Sequence, residues 1–364
     1  FFFKQKTAYE ISTRDWSSDV CSSDLSLHRL FFPWSESGAG LWWSFGVSLS
    51  LTYVSWSLLS ITHQAWAARL GPSDGLQARW VSWREGLALV GVMLASTTAS
   101  WVGWGPLLAV CAVALLAGLA GLARTPWVEW RSPAPCDAAG ALLSSPWQSS
   151  AFRQLMAVFV LNGLASAIPA TLVLFFIRDR LQAPAWEPVF LGSYFAAAAL
   201  SMPGWVRRVG RHGLLSCWRL GMLLSVAAFA WTLGLQGADA WSAWAFLAIC
   251  VASGAALGAD LVVPASALAA VIRAQLSQAQ QEGRTFGWWN FASKLNLALA
   301  AGVALPLLQW WGYVPGESQV STTGPLSVAY GLLPCLLKLS AWGLLIHFQR
   351  RALGSVLTPE RSAT

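Results

Sequence analysis

Very few ionised side chains of this sequence fall inside its long apolar runs, and those few are where chemistry can be done. Arg84 and Glu85 open one run, Asp260 sits deep in another, Lys294 lies one turn after Asn290 in the next, and Lys338 interrupts a fourth. A charge at the centre of a membrane helix costs roughly 2.5–3.5 kcal/mol on insertion scales, so such residues face a bundle interior or a water-filled cavity. Asp260 and Lys294, on successive antiparallel segments, are expected to be able to pair and cancel much of that cost. Lys338 can snorkel or pair, and its sequence context favours neither.

Two further patterns carry polar chemistry. Tyr53, Trp56, Ser60, His63, Gln64 and Ala67 recur at helical spacing, forming a face of aromatic rings and hydrogen-bonding groups that suits a sugar or another polar solute. The same face can equally be a seam of hydrogen bonds between helices. Arg84, Ala88, Gly91 and Ala95 share a second face, whose small residues leave room for a neighbour or a cavity. There Arg84 either donates to a solute hydroxyl or carboxylate, or snorkels and pairs with Glu85. Asn162 and Ser166 precede Pro169. A proline inside a span frees a backbone carbonyl, so a kink or gating point is expected there.

The elements that position these residues follow from composition. Apolar types make up 56% of the 364 residues and charged types only 11%, against about 25% charged in a soluble domain. Mean hydropathy is +0.53. The 24 tryptophans suit a protein with two membrane–water interfaces to anchor. A hydrocarbon core needs about 20 apolar residues as a helix, and nine segments qualify. They run at about 41–68, 81–99, 103–123, 152–177, 188–206, 214–235, 241–272, 286–311 and 327–348. Runs this continuous exclude the alternating pattern of a barrel. The fold class is all-α, polytopic and membrane-embedded.

The net charge of +7 reads as orientation rather than nucleic-acid binding, because the arginines sit in short loops between apolar runs. Arg69 and Arg79, Arg124 and Arg131, Arg207, Arg208 and Arg211, Arg273 and Arg284, and Arg350 and Arg351 fall on one side. Only Arg178 and Arg180 fall on the other. The C-terminus is therefore expected in the cytoplasm, in a bacterial-type inner membrane. The six cysteines, with no CxxC or Cys/His cluster, indicate neither a disulfide framework nor a zinc site. No metal ligands, catalytic residues or cofactor are expected. HExxH, GxSxG and Walker motifs are absent, and Gly258-Ala259-Asp260 lacks a second intramembrane aspartate, so an intramembrane enzyme or an ATP-driven pump is not indicated.

Residues 1–25 are polar, lack helical period and resemble a translated sequencing-adapter read-through, so they are expected to be non-native. Residues 26–123 then hold three spans, 124–150 a Pro/Ser-rich cytoplasmic linker, 151–350 six spans and 351–364 a cytoplasmic tail. An odd number of spans beginning outside fits a chain whose first three helices are missing. Such a chain is not expected to transport as it stands. The Arg–Trp–basic pattern at RWVSWREGLALVGVMLA and again at RTFGWWNFASKLNLALAAGVA is a weak internal repeat between the two groups of helices.

Four stretches carry a family resemblance. LNGLASAIPATLVLFFIRDRL (Leu161–Leu181), GAALGADLVVPA (Gly254–Ala265), EGRTFGWWNFASKLNLALAAGVALPLL (Glu282–Leu308) and, more weakly, SITHQAWAARLGPSDGLQARWVSWREGLALVG (Ser60–Gly91) resemble the glycoside–pentoside–hexuronide:cation symporters. That is the melibiose-permease-like branch of the major facilitator superfamily. The likeness runs from about Trp42 to Phe348 and corresponds to the family's fourth to twelfth helices. It implies a twelve-helix fold, of which about nine helices are present here. It also implies alternating-access symport of a sugar or glycoside with Na+ or H+. By the same resemblance Arg84 is a sugar contact, Lys294 is the eleventh-helix lysine, and Asp260 is the tenth-helix aspartate before a proline. The sequence differs from the family at Ser60-Ile61-Thr62, where sugar symporters carry an acidic residue followed by Ile-Pro. It differs again at Leu268, Ala270 and Arg273, where many members carry Gln and two Asp. Those departures keep two other readings open: a major-facilitator transporter of a lipid or other non-sugar solute, and a non-transporting scaffold or receptor. Lipid bilayer, a small polar solute and a coupling cation are the expected partners, and nucleic acid is not.

Overall fold

The computed structural model describes residues 38–70, 73–101, 104–124, 145–235, 237, 239–275, 279–313 and 320–357. The stretch 1–25 and most of the 124–150 linker lie outside them. Each of the nine apolar runs falls on helix: α1 (Gly38–Leu70), α2 (Asp74–Trp101), α3 (Trp104–Ala123), α4 (Ser150–Phe175), α5 (Glu187–His212), α6 (Leu214–Ala230), α7 (Ala240–Gln275), α8 (Ala279–Trp310), and a last span. That span is built from α9 (Val320–Ser327), a wide π-helical turn (Val328–Leu332) and α10 (Leu333–Gln349). A short α11 (Ala352–Leu357) follows. Seven of these helices are long and apolar enough to cross a membrane. Helix α2 is diluted by Arg79, Arg84 and Glu85, and the apolar part of α3 is the shorter stretch Gly105–Gly118. The chain is an integral membrane protein of the all-helical class.

By internal packing the chain divides into two compact units. One comprises Phe1–Arg69, Gly91–Ser144 and Gln278–Gly287; the other comprises Leu70–Val90, Ser145–Ser277 and Trp288–Thr364. The second unit holds α4 to α7 and α9 to α11, together with parts of α2 and α8.

Local sequence explains how the second unit is built. Ser149 ends the linker and caps α4, its Oγ accepting from the Phe152 N–H at 3.1 Å. This satisfies one of the donors that a helix start leaves open. Between α5 and α6 the chain reverses at Gly213, whose φ of 77° suits glycine. Helices α5 and α7 approach closely through a G-x-x-x-G spacing. A Cβ at Gly254 would stand 2.3 Å from the Tyr194 carbonyl oxygen, and one at Gly258 would stand 2.2 Å from Ser201 Oγ. Small residues let helix backbones meet where lipid offers no hydrophobic drive. The seam is stitched by Trp205 Nε1, which donates to the Ala255 carbonyl at 2.8 Å, and by Ser201 Oγ, which donates to the same oxygen at 3.2 Å. That carbonyl thereby gains two extra donors from across the interface.

The end of the unit at the C-terminus of α4 is closed by aromatic packing. A π-helical turn, Phe176–Arg180, continues α4. Its Phe176 ring stacks on Tyr330 from the other wide turn, with centroids 4.3 Å apart. Tyr313 donates to Asp179 there. Burial first, and that hydrogen bond second, push the Tyr313 phenol well above its ordinary pKa. At the opposite end Arg273 Nη2 donates to Asp74 Oδ1 at 2.6 Å, tying the end of α7 to the start of α2. Burial raises the Asp74 carboxyl above its ordinary value, and Arg273 opposes that rise.

Candidate functional site

Asp260 is the twenty-first residue of α7 and lies in the middle third of its span, as Asn162 does in Ser150–Arg180 and Lys338 in Gly324–Gln349. Three helices thus bring polar groups to one depth. Lys338 Nζ donates to Asp260 Oδ2 at 2.6 Å and to Asn162 Oδ1 at 3.0 Å. Asn162 Nδ2 closes the ring by donating to Asp260 Oδ1 at 3.1 Å. Ser166 Oγ, one turn along α4, adds a fourth bond to Asp260 Oδ2 at 3.3 Å. The Lys338 side chain is 2% exposed and that of Asp260 8%.

The energetics follow from that burial. Each charge alone would have to leave water for an apolar interior, at a cost of several kcal/mol. Together they neutralise one another, and Asn162 satisfies both at once by accepting from the ammonium and donating to the carboxylate. A buried pair of this kind is weak evidence for added stability, since two apolar residues can pack as well. Its retention at mid-membrane depth therefore points to use.

Beside the pair lies a small, partly open cavity lined by Ser166, Tyr194, Ser225, Phe229, Ser253, Leu257 and Asp260, with room for about one water-sized species. Four helices, α4 to α7, supply its walls. Chemically it offers one carboxylate, three hydroxyls and a phenol, against two apolar side chains. A second polar spot lies next to Asn162. A Cβ on Gly163 would meet Asn296 Nδ2 of α8 at 2.2 Å, and the buried Asn296 Oδ1 has no hydrogen-bond partner among the described residues.

The family described as MFS/sugar transport protein matches residues 139–349, more than half of the chain and the whole stretch that carries this network. The chain belongs to that family. No curated protein matches the sequence. Two solved structures show the same fold. A bacterial homologue of the iron transporter ferroportin, in an outward-facing state, is 15% identical with a TM-score of 0.63, over 92% of this chain and 80% of that one. The E. coli fucose:proton symporter is 14% identical with a TM-score of 0.64, over 92% of this chain and 83% of that one. At such identities the likeness is one of fold: a major facilitator fold, whose transporters work on small solutes in a lipid bilayer.

Within this major-facilitator chain the other residues singled out by sequence are placed as follows. The partner that the structure gives Asp260 is Lys338, not Lys294. The reason is packing: the Asp260 face of α7 meets α4 and α10. Lys294 is instead exposed on α8, with Asn290 one turn before it and half-buried. Arg84 is half-buried and forms an ion pair with the neighbouring Glu85, with Nε at 3.1 Å from Oε1. Tyr53 and Trp56 stand exposed on α1, at 58% and 61%, while His63 and Gln64 are half-buried. His63 packs on Trp66 with ring centroids 6.0 Å apart. Pro169 lies buried inside α4, one turn beyond Ala165 and close after Ser166. The residue that sequence reasoning undervalued is Lys338. Its signal was a lysine in the middle of an apolar run, the same signal that marked Lys294.

Proposed function

We propose that this protein is a secondary active transporter that carries a small polar solute, a sugar or glycoside being the leading class, by alternating access coupled to a cation. The observation that carries the reading is the family match over a region whose mid-membrane Asp260–Lys338 ion pair is fully hydrogen-bonded and flanked by a polar cavity. Arg84, Tyr53, Trp56, His63, Gln64, Asn290 and Lys294 are assigned to solute binding. They combine aromatic faces, on which sugar rings stack, with charged and amide donors for hydroxyls. Asp260, Asn162 and Pro169 are assigned to coupling or gating, with Na+ or H+ as the coupling ion. The resemblance of Leu161–Leu181 and Glu282–Leu308 to the melibiose-permease-like branch supports the sugar class. The arginine bias supports an inner-membrane location with the C-terminus in the cytoplasm.

The test is counterflow. Protein expressed together with any coding sequence that lies upstream of residue 26, in liposomes preloaded with an unlabelled solute, is given a trace of the same solute with label outside. The account expects transient accumulation for at least one mono- or disaccharide, saturable and reduced several-fold by Arg84→Ala or Lys294→Ala. Accumulation of a lysolipid with none for any sugar moves the substrate class to lipid. Absence for every solute, from protein shown to be folded, removes the transporter reading.

A further inference from the structure

Three arginines crowd the end of α5: Arg207, Arg208 and Arg211. All three are exposed, as is His212 beside them. The chain then reverses at Gly213, and α6 adds Arg219, half-buried, with Nη2 3.4 Å from Ser216 Oγ. Nothing in either helix neutralises this charge. The sequence holds no acidic residue between Glu187 and Asp239, and those two stand at the opposite end of α5 and α6. None of the four arginines forms an ion pair among the described residues.

Deeper in the membrane the same surface is apolar. Leu200, Gly204, Arg207 and Arg211 share one face of α5 at i, i+4, i+7, i+11 spacing, and all four are exposed, Leu200 at 80%. The opposite face is fixed in the bundle, since Met202, Trp205 and Val209 are buried and Trp205 Nε1 bonds the Ala255 carbonyl. A Cβ at Gly204 or Gly210 would meet nothing within 4 Å, so this side of α5 is open. On α6, exposed Leu220 and Leu223 follow Arg219. Arg207 and Arg219 each lie six residues from Gly213, about 9 Å along their helices. Two guanidinium groups therefore leave the two helices at one depth, below the turn. Arg208 lies within electrostatic reach of Cys217 on α6, so it too serves the side of the corner that α6 forms.

The occupant that fits joins a negative headgroup to hydrocarbon. A soluble anion or a nucleic acid brings charge, but nothing draws either past the turn to Arg219 among leucines. An acidic phospholipid brings both parts. Guanidinium groups pair their donors with phosphate oxygens, and basic pockets between membrane helices bind acidic headgroups. We propose that the α5–α6 corner is a binding site for one anionic phospholipid. Arg207, Arg208, Arg211 and Arg219 hold its phosphate, and its chains lie against the exposed face that runs from Gly204 to Leu200. The site uses no residue assigned to solute or coupling ion, so it stands or falls independently of what the protein carries.

The experiment titrates the purified chain in uncharged detergent with phosphatidylglycerol, phosphatidylcholine or inorganic phosphate, and counts bound lipid by native mass spectrometry. The wild type should bind one phosphatidylglycerol at least tenfold more tightly than phosphatidylcholine. Added salt should weaken that binding several-fold, and inorganic phosphate at matched ionic strength should not displace the lipid. One arginine beside an acidic lipid is worth roughly fivefold in affinity. Arg207→Gln/Arg208→Gln/Arg211→Gln should therefore abolish the preference. Arg350→Gln/Arg351→Gln, which removes two other exposed arginines, should keep it. Equal loss in the two variants would reduce the effect to bulk charge and overturn the proposal. A wild type that takes both lipids equally, or that yields its lipid to inorganic phosphate, overturns it as well. If the triple variant fails to fold, Arg211→Gln alone decides: the preference should drop about fivefold, and an unchanged preference overturns the proposal.

Discussion

Asn162 is the residue on which the buried network turns. Its amide is the one group able to accept from Lys338 and donate to Asp260 at once, and it does both, at 3.0 and 3.1 Å. Truncating one ionic partner leaves the other charge stranded in an apolar interior, and such changes cost about 3–5 kcal/mol. Lys338→Met alone is therefore expected to destabilise by about that amount, read from chemical denaturation in detergent without sodium. Asp260→Asn with Lys338→Met removes both charges together and should recover most of the loss; a double variant as unstable as the single one would deny the pairing. Sequence marked Asp260, Asn162 and Lys294 as candidates but joined Asp260 to the wrong lysine. The bond that forms spans 78 positions, and nothing local in either helix encodes it. Both lysines interrupt apolar runs in the same way, and only the direction in which the α7 face points separates them.

Elements were far more legible than pairings. Twenty-residue apolar runs have one solution in lipid, because every backbone N–H and C=O must be satisfied inside the segment. This is why all nine runs fall on helix. The two wide turns, whose Phe176 and Tyr330 rings stack at 4.3 Å, were not legible, since no residue pattern in either stretch marks a π-helical turn. The Gly254–Gly258 spacing was visible as sequence, but its role as the α5 contact appears only in the structure. It makes a sharp prediction at this scale. Gly258→Val places branched carbon where a Cβ already meets Ser201 Oγ at 2.2 Å. Overpacking of this kind costs about 1–3 kcal/mol, so the melting temperature should fall clearly, whereas Gly204→Ala on the partner helix, with open space at its Cβ, should leave it unchanged. Equal melting temperatures would mean that α5 and α7 do not meet along this seam.

For the whole molecule, the arginine distribution predicts a topology that labelling can read. In right-side-out vesicles, with native cysteines replaced, a cysteine at Gly210 should resist an impermeant maleimide and one at Gln182 should react; the reverse pattern would invert the chain in its membrane. The family and fold were legible through apolar periodicity and the Leu161–Leu181 and Glu282–Leu308 stretches. The solute was not, because recognition rests on side chains gathered from several helices, and α1 alone shows only a face of donors and rings. Nor was the cavity, which exists only where α4, α5, α6 and α7 come together.

The claim that joins these scales is that the buried polar network of α4, α7 and α10 serves transport and not folding alone. Counterflow by the Asp260→Asn/Lys338→Met protein, compared with wild type at matched stability and the same reconstituted amount, both expressed with any coding sequence upstream of residue 26, tests it most directly. The account predicts a folded protein whose solute exchange falls at least tenfold. A folded double variant exchanging solute at the wild-type rate would contradict it.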